Sequence, residues 1–135
     1  MPNLRFLNPP TMNRPTGYSH VAEVTGPGRT VYIAGQLGLD AAGKLAGAPG
    51  DFRAQAIQTY ENLKTALAAV GGSFEHVVKF NNYLTDIAAH IPIFREVRER
   101  YLNNERMPAS TTVQIERLAR EGALIEIEAI AILTP

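Results

Sequence analysis

The spacing of apolar positions changes several times along the chain, and each change predicts an element. YSHVAEV (18–24) alternates, as a strand does. GPGR (26–29) predicts a turn, because glycine accepts positive φ and proline pre-sets its own. TVYIAGQL (30–37) is rich in β-branched and aromatic residues and predicts a second strand, close enough to the first to form a hairpin. After a glycine-rich loop, apolar residues fall at Phe52, Ala56, Ile57, Tyr60, Leu63, Leu67 and Val70, the stripe of one helix. Asp51 is placed to cap that helix and Gly71-Gly72 to end it. HVVKFNNYLTD (76–86) predicts a third strand. Ile91, Phe94, Val97 and Tyr101 or Leu102 mark a second helix, with Pro92 suited to its first turn. STTVQIERL (110–118), the turn REG (120–122) and ALIEIEAIAIL (123–133) complete the pattern. Residues 1–17 hold four of the nine prolines and read as an irregular arm, leaving 18–135 as a single domain. The order ββαβαββ predicts an α+β fold: a mixed, mostly antiparallel sheet with two helices packed on one face.

The last strand shows what the other sheet face must do. By period two, Glu126 and Glu128 share one side with Ile130 and Ile132, opposite Ile125, Ile127, Ala129 and Ala131. A face that is half apolar and half acidic suits a subunit contact better than bare solvent. A hydrophobic content of 45% against 19% charged residues points the same way.

Thirteen basic and thirteen acidic residues balance, so the footprint of a dedicated nucleic-acid binder is missing and no nucleic-acid partner is expected. Without cysteine there are no disulfides, thiolate metal sites or cysteine nucleophiles. No apolar run is long enough to span a bilayer, and MPNLRFLNPP lacks a signal-peptide layout, so a cytoplasmic protein without a membrane partner is expected.

The chain carries no zinc-protease, P-loop, nucleophile-elbow or dinucleotide motif. His20, His76 and His90 have no metal-ligand spacing, so no metal site is expected. Ser19 and His20 are neighbours, but adjacent strand residues point to opposite faces and cannot form a dyad. Glu126 and Glu128 each raise the other's cost of ionising. They read either as solvated strand glutamates, as partners of arginines across an interface, or as a pair in a cleft where one handles water or a proton. Arg95 and Arg98, on the polar side of the second helix, read as a solvated surface or as the lining of a site.

VYIAGQLGLD, AQAIQTYENLKTALAAVGGSFEHVVKFNNYLTD, MPASTTVQIERL and LIEIEAIA occur in an order that resembles the RidA/YjgF family of enamine/imine deaminases, from about Tyr18 to the C-terminus. The resemblance implies a chorismate-mutase-like fold and a homotrimer with a small-molecule cleft at each subunit boundary. It also implies cofactor-independent hydrolysis of imines or enamines to a ketoacid and ammonia, with ribonuclease activity or plain metabolite binding as other readings. Carried over by position, it makes Glu126 the catalytic, water-handling residue. It places Tyr18, Ala34, Gly35, Arg95, Ser110 and Thr112 at the substrate. Where active deaminases carry an arginine that grips the substrate carboxylate, this chain has Ser110. A serine cannot replace a delocalised cation with paired donors. Arg95 is the residue expected to supply the missing charge.

Overall fold

In the computed structural model, which describes residues 3–135, the chain forms strands β1 (Asn3–Leu7), β2 (Val21–Thr25) and β3 (Arg29–Leu37), then helix α1 (Phe52–Ala69). Strand β4 (Val77–Leu84), helix α2 (Ile87–Tyr101), β5 (Ala109–Gln114) and β6 (Ile125–Leu133) follow. The predicted α+β architecture holds: two helices pack on a mostly antiparallel four-stranded sheet of order β3-β6-β4-β5, in which only the β4–β5 pairing is parallel.

The helical stripe on α1 is the core's main apolar face. Phe52, Ala56, Tyr60, Leu63 and Leu67 are all buried, and Phe94 and Val97 join them from α2. Opposite them lie Ile125, Ile127, Ala129, Ala131 and Leu133, the alternate residues of β6. Burying a side chain the size of Leu63 or Leu67 contributes roughly 1.5–3 kcal/mol. Asp51 caps α1 as expected, its carboxylate accepting from Ala54 N at 3.0 Å. At the other end, Gly72 N–H returns to Leu67 O at 2.8 Å, and Gly71 takes φ +78°.

Three expectations need correction. The arm is not wholly irregular, because Asn3–Leu7 pairs antiparallel with β2, Leu4 opposite Val24 and Phe6 opposite Ala22. Accordingly β2 forms no hairpin with β3. Gly26 (φ +81°) turns the chain, and β3 pairs with the equally long, apolar β6 in the other sheet. Finally, α2 begins at Ile87, so Pro92 lies inside it. The N–H missing at Pro92 leaves the carbonyl of Ala88 without its helical donor, and Ala88 is exposed, so water can take that place. The true N-terminus is held by Asp86, which accepts from Ala89 N at 3.1 Å, and by Gln114, whose Oε1 accepts from Ile87 N at 2.9 Å.

Candidate functional site

Strand register sorts the predicted site residues into two groups. On β5, Ser110 lies beside Phe80 and Thr112 beside Asn82, both buried residues on the helix-covered face of β4. Glu126 and Glu128 on β6 lie beside Tyr83 and Asn81, the alternating positions of β4 that face the other way. Within one chain, the hydroxyls and the glutamates are therefore on opposite sides of the sheet.

On the helix side, Tyr18, Arg95, Ser110 and Thr112 come together around an open cleft of about 220 Å³. Thr16, Gly17, Ile91, Phe94 and Arg98 complete its walls. Ser19 brings Tyr18 there by docking on the start of β5: its N–H donates to Pro108 O at 3.0 Å and its hydroxyl donates to Met107 O. Arg95 is exposed, whereas Arg98 is partly buried. The ion pairs among the described residues are Arg5–Glu23 and Arg53–Glu96, so neither cleft arginine is in direct contact with a carboxylate. Burial is the main cause lowering the Arg98 guanidinium's proton affinity, and Nε of Arg98 is buried without a hydrogen-bond partner. Its Cζ lies 5.6 Å from the Phe94 ring centroid. Gly17, at φ +79°, packs so closely on the guanidinium that a Cβ there would stand 2.0 Å from a terminal nitrogen.

Beneath the hydroxyls lies Asn82, 2% exposed. Its Nδ2 donates to Ser110 Oγ at 2.9 Å, Thr112 Oγ1 at 3.1 Å and Thr111 O at 3.2 Å. A carbonyl only accepts, so the bond to Thr111 O identifies the amide end that faces β5. Both hydroxyls then act as acceptors toward Asn82.

On the other face, β3 carries one extra residue between Ile33 and Gln36, so that Ala34 and Gly35 together oppose Glu128, and Gly35 lies against the Glu126 side chain. A Cβ at Gly35 would lie 2.5 Å from Glu126 Oε2, so the carboxylate occupies the space that glycine leaves open. Burial, then the charge of Glu128, raises the Glu126 carboxyl above the ordinary carboxylate range. Tyr83 donates to Glu128 Oε1 at 2.9 Å; this bond is the main cause raising the phenol's own proton affinity. Among the described residues no three or more histidine, cysteine, aspartate or glutamate side chains gather as metal ligands. No helix there is long and apolar enough to cross a membrane.

A family model described as endoribonuclease L-PSP matches residues 11–133. The chain belongs to the RidA/L-PSP family. Among its relatives in this family, protein DfrA of Myxococcus xanthus is 40% identical over 115 residues, 85% of this chain and 84% of that protein. The mouse 2-iminobutanoate/2-iminopropanoate deaminase is 37% identical over 119 residues, 87% of this chain and 82% of the relative. The crystal structure of the Rid-family protein YyfB from Yersinia pestis superposes with a TM-score of 0.87 at 34% identity, covering 97% of this chain and 99% of that one.

The sequence of this RidA/L-PSP chain marks Arg95 and Arg98 alike as surface or site lining, and only tertiary packing separates a guanidinium in solvent from one tucked under Gly17. Two further contributors are not marked as site residues by the sequence. Tyr83 reads as an ordinary strand aromatic. Asn82 left a usable signal: it interrupts the inward series Phe80, Leu84, and a polar residue at a core-facing strand position needs partners.

Proposed function

We propose that this protein acts on, or binds, a small imine, enamine or related carbonyl metabolite in a cleft completed between subunits. The opposite placement of Glu126 and the arginine-lined cleft carries this reading. A ligand touching both needs the open sheet face of one copy set against the β5 edge of another, and a homotrimer with its open faces inward meets that requirement. The family and its deaminase-named relatives supply the reaction class. In imine hydrolysis, water adds to the C=N carbon, protons pass to nitrogen, and the C–N bond breaks to give a carbonyl and ammonia. Glu126, with its raised proton affinity, suits the transfer of protons to and from that water.

Turnover of 2-aminoacrylate-type imines is expected to be low, because Ser110 stands at the position of the carboxylate-gripping arginine. Such a contact is commonly worth several kcal/mol, or orders of magnitude in rate. That same serine favours the second reading, a trimer that binds a metabolite without turning it over. Ribonuclease activity, which the family model's name carries, has no support in a chain with thirteen basic and thirteen acidic residues.

Light scattering is expected to give three times the 14.7 kDa chain mass. In a dehydratase-coupled assay, slow ammonia release is expected from the wild type, with a further drop of about 100-fold in Glu126→Gln. A single-chain mass refutes the shared cleft. Equal rates in wild type and Glu126→Gln refute catalysis and leave the binding reading.

A further inference from the structure

We propose that Arg98, Ser110 and Thr112 form a carboxylate subsite in the helix-side cleft, with Asn82 as the positioning residue that turns both hydroxyl protons toward the ligand. The ligand class, a small monocarboxylate, rests on the function proposed above; the subsite is read from the cleft itself.

The two Asn82 amide hydrogens are shared among Ser110 Oγ, Thr112 Oγ1 and Thr111 O, so both hydroxyls accept on that side, and no acceptor for either hydroxyl proton lies among the described residues. The cleft side is open to both. Each is therefore free to donate to an oxygen placed there, and a carboxylate offers two oxygens, one for each hydroxyl. Arg98 adds a cation that forms no ion pair among the described residues. It is held in place by the Gly17 backbone and the Phe94 ring, so little rotamer freedom remains to be lost on binding. The exposed Arg95 adds long-range attraction without this immobilisation. The cleft thus replaces a single strand-borne cation with the alternate hydroxyls Ser110 and Thr112 of β5 and a cation supplied by α2, while Thr111 faces the other way and accepts from Lys79 Nζ.

Pyruvate and its neutral amide, pyruvamide, serve as probes, titrated into the full-length protein and followed by backbone amide chemical shifts, with no turnover needed. Pyruvate is expected to bind at least about tenfold more tightly than pyruvamide, since bonds to a charged group are the stronger. Arg98→Gln is expected to weaken pyruvate about 10–100-fold, and Arg95→Gln by no more than about threefold. Asn82→Asp is nearly isosteric but accepts where asparagine donated. It draws both hydroxyl protons inward, puts a negative charge beneath the site, and is expected to abolish pyruvate binding. If Asn82→Asp does not fold, the double variant Ser110→Ala/Thr112→Val tests the same donors at the sheet edge.

The proposal is overturned if the wild type does not bind pyruvate, or binds pyruvamide equally well. It is also overturned if Arg98→Gln or the donor variants bind pyruvate like the wild type, or if Arg95→Gln alone loses it. Failure of ammonia release with pyruvate binding intact removes the catalytic reading and leaves the subsite standing.

Discussion

Gln55 is a polar residue buried to 1% exposure in the first turn of α1, and replacing it by leucine tests how the loop before β6 is held. Its amide spans the gap between helix and loop: Oε1 accepts from Leu124 N at 2.8 Å and Nε2 donates to Gly122 O at 3.0 Å. Leucine nearly preserves the volume and deletes both bonds. The two losses are unequal. Gly122 is exposed, so its carbonyl regains water, whereas the Leu124 amide sits in a partly buried segment that the leucine side chain would seal. Allowing about 0.5 kcal/mol for the first and about 1.5–2.5 for the second gives a destabilisation of about 2–3 kcal/mol. For a chain of this length that lowers Tm by about 6–12 °C. Urea and thermal unfolding at one fixed protein concentration measure it, since an oligomer's stability depends on concentration. Hydrogen exchange at the Leu124 amide should lose protection in step. Pyruvate affinity should not change, because Gln55 does not line the cleft. A stability within about 0.5 kcal/mol of wild type would refute the claim that this buried amide ties helix to loop.

Gly35→Ala places a Cβ against the Glu126 carboxylate, which must retreat by nearly 1 Å; a side-chain rotation costs about 0.5–1.5 kcal/mol, but any Glu126-dependent rate should fall up to about 100-fold. Preserved rate with a large stability loss would contradict the mobile carboxylate. Glu126 binds its proton more tightly in the folded state, so its contribution favours folding at low pH and is lost as pH rises through the raised folded value. Glu126→Gln should therefore gain stability over the wild type between pH values below 4.5 and neutrality, read from urea midpoints; a constant difference would mean that the carboxyl is not perturbed.

Local periodicity was enough to locate most elements. The stripe from Phe52 to Leu67 and the alternation of Ile125, Ile127 and Ala129 against Glu126 and Glu128 each encode which residues face the core, because burial repeats with the backbone period. Asp51 and Gly71-Gly72 likewise mark the ends of α1 through chemistry that acts over a few residues. Asn3–Leu7 escaped notice because a five-residue strand among prolines has too short a pattern to read, and it becomes a strand only when Val21–Thr25 pairs with it.

Residue identity in the sequence already set the candidate chemistry: Ser110 where an arginine was expected, a paired Glu126 and Glu128, and two arginines one helical turn apart. Tertiary structure alone decided how these are distributed. It put Ser110 and Thr112 on the helix side and Glu126 on the other, and it separated the exposed Arg95 from an Arg98 held beneath Gly17. It also set Asn82 to orient both hydroxyls. Period-two alternation says which residues share a face within one strand. The register between strands, and hence which faces coincide, depends on contacts between residues distant in sequence.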